Sequence, residues 1–412
     1  MNKFIGYTCS LCGQNYAPDE VTYTCPKDGG NLDVVLDYES IRKKYQPEDI
    51  TSSRDPSIWR YLPLLPVSAP ARTGLRPALT PLHLVGGTPV FSLPGLGRGG
   101  GIKDESRNPT ASFKDRASAV LVTRAKEIGA EVIVTASTGN AGAALAGMAA
   151  AAGQKAVIFA PKSAPQAKIA QLLIFGAKVF LVDGTYDDAF DLSIKTAQEF
   201  GWYCRNTGYN PFTAEGKKTA AFEIWEWWRA FGRDNPALTI LCPVGDGNII
   251  AGLHKGFKDL LALGWLEKIP CIIGVQAAGS AAIANAFHAN SETIAPVRAS
   301  TIADSISVNL PRDGVRALRA ARETGGTYLT VSDAEILNAM AELGSVGIFA
   351  EPAGAAAYAG LTAAKAQGKF DPESPILLIN TGSGLKDIGA AMQAIPPAPI
   401  IEPTLEALKK HL

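Results

Sequence analysis

The sequence has no net charge: 39 Lys and Arg stand against 39 Asp and Glu in 412 residues. With no excess of either sign, nothing long-range draws the chain to nucleic acid or an anionic membrane, so neither is expected as a partner. Small acidic or zwitterionic molecules stay open. Long apolar runs are also missing. No stretch reaches bilayer-spanning length, and the opening Met-Asn-Lys-Phe-Ile-Gly-Tyr-Thr-Cys has no apolar leader core, so a cytoplasmic protein is expected. Cysteine is scarce. Cys9, Cys12 and Cys25 cluster near the N-terminus, while Cys204, Cys242 and Cys271 lie scattered in apolar surroundings. That distribution speaks against a disulfide framework and for a metal cluster plus core thiols.

What the chain does have is apolar mass. At 47% hydrophobic it can bury a large core, and its length suits two or three domains. Residues 1–37 form a short aromatic-rich module in which Cys9-x-x-Cys12 is an intact metal knuckle, whereas the second knuckle reads Cys25-Pro-Lys-Asp28. Two readings stand: zinc held by Cys9, Cys12, Cys25 and Asp28, or a degenerate ribbon without metal. Residues 38–80, rich in proline, read as a connecting arm with an exposed helix Glu39–Tyr45. Gly95–Gly101 is a glycine run expected to be loop rather than phosphate cradle, because no helix follows directly to add its amides.

Beyond this the pattern is β/α. Strand-like runs Glu131–Thr135, Ala156–Phe159, Lys178–Val182 and Trp202–Arg205 alternate with helical stretches and give a small lobe over 118–205. A second series, Thr239–Val244, Cys271–Gln276, Thr327–Thr330 and Ile376–Asn380, gives a large lobe from 81–117 and 206–395, followed by a tail over 396–412. The fold class is therefore α/β, two lobes with open, mostly parallel sheets behind a small zinc-ribbon-like module. The cleft between the lobes is the expected site.

Four loops carry the chemistry. Asn108-Pro109-Thr110 turns the chain into an alanine-rich helix, with Ser112 as the expected N-cap and Lys114 at the helix start. There the helix dipole depresses an amine pKa and favours the neutral nucleophile, unless Lys114 is simply a solvated surface lysine. Ser137-Thr-Gly-Asn-Ala-Gly142 suits a carboxylate, and Asn140 can hold a phenolic oxygen. Gly245-Asp-Gly-Asn248 has phosphate-binding form, although the carboxylate of Asp246 would repel a phosphate unless it turned away. Thr381 follows a buried strand and offers a hydroxyl to a ring nitrogen. Singly, each glycine loop is also an ordinary tight turn. Together they provide a lysine, a carboxylate site, a phosphate site and a ring-nitrogen site, which pyridoxal phosphate and an amino acid require.

Ser112-Phe-Lys-Asp-Arg116, Ser137-Thr-Gly-Asn140, Glu215-Gly-Lys-Lys-Thr-Ala-Ala-Phe-Glu-Ile224 and Thr381-Gly-Ser-Gly-Leu-Lys-Asp387 resemble threonine synthase, a fold-type II pyridoxal-phosphate enzyme of the tryptophan synthase β group. The resemblance covers about residues 80 to 395. It implies conversion of O-phosphohomoserine and water to threonine and phosphate by a homodimer. In that case Lys114 would bond the cofactor covalently with Phe113 beside it, Asn140 would hold its phenolic oxygen, Gly245, Asp246, Gly247 and Asn248 its phosphate, and Thr381 its ring nitrogen. The substrate would lie on Ser137, Thr138, Gly139, Asn140, Ala141 and Thr213. Two positions depart from the family pattern. Ala141 stands where a threonine is typical, and Thr213 stands where an arginine grips the substrate phosphate. Lys217, Lys218 or Arg205 could supply the missing charge. The alternatives are a threonine or serine dehydratase, which Phe349–Ala355 also resembles, a β-replacement enzyme such as cysteate synthase acting on O-phosphoserine, or a non-catalytic amino-acid sensor.

Overall fold

Short β-branched runs set between alanine- and leucine-rich stretches organise the chain into three sheets. The computed structural model describes residues 3–70, 79–93, 96, 99–137, 139–164, 166–230, 238–366 and 375–412. The N-terminal sheet is antiparallel, with strands β1 (Phe4–Cys9), β2 (Asn15–Tyr16) and β3 (Leu32–Leu36) in the order β2-β1-β3. Period-two alternation in β3 buries Leu32, Val34 and Leu36.

β4 (Val90–Ser92) and β5 (Gly101–Asp104) pair antiparallel at one edge of the large sheet. The chain then builds the small sheet from β6 (Val132–Ala136), β7 (Lys155–Pro161), β8 (Lys178–Val182) and β9 (Tyr203–Cys204), all parallel in the order β8-β7-β6-β9. It returns through β10 (Thr239–Pro243), β11 (Cys271–Ala277), β12 (Tyr328–Val331) and β13 (Ile376–Asn380) to complete a six-stranded sheet, β12-β11-β10-β13-β5-β4. Only the β4 edge is antiparallel. β6 and β13 are buried along their whole length, as continuous apolar strands covered on both faces must be.

Two expectations need correcting. Residues 38–70 of the connecting arm are packed onto the rest of the protein. The helix expected as exposed runs Tyr38–Lys44 and buries Ile41, Tyr38 Oη donates to Asp259 Oδ1 at 2.6 Å, and Ile58, Trp59, Tyr61 and Leu64 are all buried. The hydrophobic surface of this strap outweighs its proline content. Ser112 is likewise not a capping side chain. The helix begins at Lys114, with Phe113 at the N-cap position and no side-chain cap, because Ser112 is drawn into an antiparallel bridge with Gly382. Of the Gly95–Gly101 run, residues 95, 97 and 98 lie outside the described residues, and Gly101 opens β5. Among the described residues no helix is long and apolar enough to cross a membrane.

Candidate active site

The turn before Lys114 is held from several sides. Asn108 Oδ1 accepts from Gly86 N at 2.9 Å, and Asn108 Nδ2 donates to Glu105 Oε2 at 2.8 Å. Ala111 takes a left-handed φ of 61°, and Asp115 accepts from Thr110 N at 2.6 Å and from the Thr110 hydroxyl. Phe113 N donates to Thr381 O at 2.9 Å, which ties the turn to the loop after β13. Lys114 thus starts its helix beside a cavity of about 420 Å³, within the range of small-ligand sites. Burial lowers its amine pKa; Glu351 raises it and Arg205 lowers it further.

Three loops at strand ends complete the wall. After β6, the Ser137 hydroxyl accepts from Gly142 N at 2.9 Å and Gly139 N at 3.2 Å, while the Asn140 and Ala141 amides in the first turn of the Asn140–Ala152 helix have no carbonyl within it. Thr138 lies outside the described residues. After β10, Gly247 adopts φ 90° where any Cβ would come within 2.6 Å of Ala317 Cβ, so only glycine fits the start of the 15-residue Asn248–Ala262 helix. The carboxylate of Asp246 turns to Arg312 N, 3.1 Å away, which removes the difficulty that the sequence posed. After β13, Thr381 is buried on the cavity wall.

The cavity wall therefore brings together Lys114, Ser137, Gly139, Asn140, Ala141, Gly245, Asp246, Gly247, Asn248 and Thr381. Phe113 is fully buried behind it. Thr213 is not on the wall; its hydroxyl donates to Asn210 O at 2.8 Å within its own turn.

Glu351 is the residue that sequence reasoning passed over. Its carboxylate accepts from Asn140 Nδ2 at 3.0 and 2.8 Å and from Thr381 Oγ1 at 3.3 Å, and so joins the two residues expected to grip the cofactor ring. Burial raises its pKa. The available signal was a single acid inside the apolar stretch Phe349–Ala355, a position where an unpaired carboxylate is costly.

At the N-terminus, Cys9 Sγ, Cys12 Sγ, Cys25 Sγ and a carboxylate oxygen of Asp28 all lie within 4.8 Å of one another. The Cys12–Cys25 Sγ separation is 3.8 Å. That is close to the roughly 3.8 Å edge of a tetrahedron around zinc with ~2.3 Å Zn–S bonds. Gly30 N donates to Asp28 Oδ1 at 2.8 Å and, as the largest influence, holds the Asp28 pKa down at about 2, so the group is ionised and able to serve as a ligand. The donor set fits zinc.

This lysine-centred cleft between two mostly parallel sheets defines a class. The model of the family described as pyridoxal-phosphate dependent enzyme matches residues 82–382, and the chain belongs to that family. Within it, the chain is 38% identical over 98% of both chains to threonine synthase of Methanocaldococcus jannaschii. It is 37% identical, again over 98% of both, to threonine synthase of Methanosarcina acetivorans. Among solved structures, threonine deaminase isoform 2 from Solanum lycopersicum superposes with a TM-score of 0.61 at 23% identity, covering 74% of this chain and 86% of that one, a likeness of fold alone. The wall suits pyridoxal phosphate: an amine of lowered pKa, a glycine loop on a helix N-terminus for the phosphate, and amide and hydroxyl groups on either side of Glu351 for the ring.

Proposed function

We propose that the protein forms threonine and phosphate from O-phosphohomoserine and water. The observation that carries this reading is the convergence of Lys114 with the Ser137, Gly245 and Thr381 loops on one cavity, in a chain similar along nearly its whole length to threonine synthases. When bound, pyridoxal phosphate supplies the sink for the electrons released as the substrate loses protons.

The rest is done by side chains and amides. Lys114 would hold the cofactor, and as a free amine it would move protons at Cα and Cβ; its lowered pKa keeps the amine able to accept them. The free amides at the start of the Asn140–Ala152 helix receive the substrate carboxylate. Gly245 to Asn248 would hold the cofactor phosphate, Asn140 its phenolic oxygen, and Thr381 would offer its ring nitrogen a neutral hydroxyl. Phosphate leaves Cγ, Cγ takes up one of the protons so removed to become the methyl group, water adds at Cβ, and Cα regains the other proton. A homodimer in the cytoplasm and a zinc-bound N-terminal module complete the reading, and these rest on resemblance and on the Cys9, Cys12, Cys25 and Asp28 donor set.

The test is phosphate release from O-phosphohomoserine by the cofactor-loaded protein, with threonine measured in the same sample and O-phosphoserine and threonine as competing substrates. One threonine per phosphate is expected. Faster turnover of O-phosphoserine or threonine would transfer the protein to the β-replacement or dehydratase class.

A further inference from the structure

Among the described residues, seven lysines and arginines are deeply buried, and five of them sit against carboxylates. Lys103 meets Glu223 at 2.7 Å, Arg116 meets Glu105 and Glu223 at 2.7 Å, and Lys218 meets Asp259 at 2.7 Å. Lys255 meets Asp259 at 2.5 Å and Arg316 meets Asp313 at 2.6 Å. Lys217 and Arg205 are both fully buried, yet neither has a carboxylate at ion-pair distance among the described residues. Among the described residues Lys217 Nζ donates only to the neutral Asn248 Oδ1, and the carboxylates of Asp313 and Asp246 act on it only through space. Arg205 Nη1 donates to Thr207 Oγ1 at 2.6 Å, and its Nη2 is buried with no hydrogen-bond partner among the described residues. Buried charge is tolerated where a counter-charge meets it, so two unmatched cations at one place mark where a ligand supplies the anion.

That place is the cleft. Lys217 and Thr207 line the cavity that holds Lys114, and Lys114, Lys217 and Arg205 all lie within electrostatic reach of one another. Arg205 comes from the end of β9 in the small lobe; Lys217 comes from the helix Phe212–Lys217, against Gly252 of the phosphate-loop helix, where a Cβ would come within 2.7 Å of the Lys217 Cβ. The other cations at the cleft are taken: Arg312 by Asp187 at 2.8 Å and Lys168 by Asp304. Lys218, the third candidate, is fixed by Asp259 and Glu215.

Resting on the function proposed above, we infer that Lys217, backed by Arg205, is the seat of the phosphate carried by the substrate. Lys217 is four residues beyond Thr213, on the same face of the helix, and helical side chains lean back over the preceding turn. The cation absent at 213 is thus supplied one turn later. With the Gly245–Asn248 amides assigned to the cofactor phosphate, Lys217 on the cavity wall and Arg205, buried behind Thr207, are left for a second anion.

The test compares the holoenzyme with Lys217→Gln, reading cofactor absorbance as ligand is added. In the wild type, inorganic phosphate competes with O-phosphohomoserine. In Lys217→Gln, the cofactor band is retained and affinity for inorganic phosphate and O-phosphohomoserine falls at least about tenfold relative to that for L-threonine. Loss of the cofactor band from a folded variant would give the lysine to the cofactor phosphate and overturn the inference, as would an unchanged affinity ratio. Should the variant not fold, the wild type decides: phosphate that binds without displacing O-phosphohomoserine overturns the inference, and competition upholds it. A wild type that binds phosphate competitively but forms no threonine would refute the proposed function and leave the anion seat standing.

Discussion

At the scale of single residues, the cleft is governed by what burial does to charge. Glu351 is the clearest case, because its folded-state pKa is raised above the ordinary value of 4.5, with burial as the main cause and the Asn140 amide and Lys114 opposing it. Between those two values the folded protein holds a proton that the unfolded chain has released. Stability contributed there is fully present below pH 4.5 and is lost as pH rises through the folded-state value. Glu351→Gln keeps an acceptor for Asn140 and removes the titration. The unfolding midpoint of the apoenzyme, followed from pH 4 to pH 8, is expected to fall with pH more steeply in wild type than in Glu351→Gln. Parallel curves would show that folding does not change the proton affinity of Glu351.

At the scale of elements, the question is what keeps the Lys114 helix in place. Arg116, two residues on, donates to Glu105 and Glu223 through Nε, Nη1 and Nη2, and Lys103 on β5 donates to Glu223 Oε2 at 2.7 Å and Thr88 Oγ1 at 2.7 Å. The network joins β5, the Lys114 helix and the Thr219–Arg229 helix, all within the protein interior. The sequence motif Ser112–Arg116 therefore has two functions: Lys114 faces the cavity, and Arg116 anchors the helix that presents it. Removing one partner leaves the others as uncompensated buried charge, which costs about 3–5 kcal/mol. Glu223→Ala is expected to lower urea stability by that amount and to reduce cofactor occupancy. A loss below about 1 kcal/mol would mean that the remaining carboxylate, Glu105, satisfies both cations.

At the scale of the whole molecule, the N-terminal module is connected to the Gly245–Asn248 loop by an unbroken polar chain. Asp33 Oδ1 meets Arg316 Nη1 at 2.7 Å, Arg316 forks onto Asp313 at 2.6 and 2.8 Å, and Asp313 Oδ2 accepts from Asn248 Nδ2 at 2.5 Å. Asn31 Nδ2 donates to Gly208 O at 2.5 Å and to Arg312 O at 3.1 Å, so the same loop touches the segments on both sides of the cleft. Asp28 and Gly30 shape that loop and belong to the cysteine cluster or adjoin it. If the Cys9, Cys12, Cys25 and Asp28 set holds zinc as proposed, its removal by a chelator is expected to weaken cofactor binding several-fold in a fluorescence titration without unfolding the protein, and Asp33→Ala is expected to do the same. Equal cofactor affinity in treated and untreated protein would make the module a passive cover.

Much of this was legible in the sequence, because it is local. The hydrophobic run Ile376–Asn380 and the alternation of strands and helices announce parallel sheets, glycine loops after strands announce helix N-termini open to anions, and Cys9-x-x-Cys12 announces a metal knuckle. Each depends on the spacing of neighbours, which a linear chain displays. Ser112 escaped because capping competes with a bridge to Gly382, some 270 positions away. Glu351 between Asn140 and Thr381, and Lys217 and Arg205 without an ion-paired carboxylate among the described residues, escaped for a related reason. Whether a buried charge has a partner depends on groups brought together from distant segments. The sequence by itself determined the chemistry available to this protein; the tertiary structure decided which charges are matched and which wait for a ligand, because pairing is a property of space and not of order along the chain.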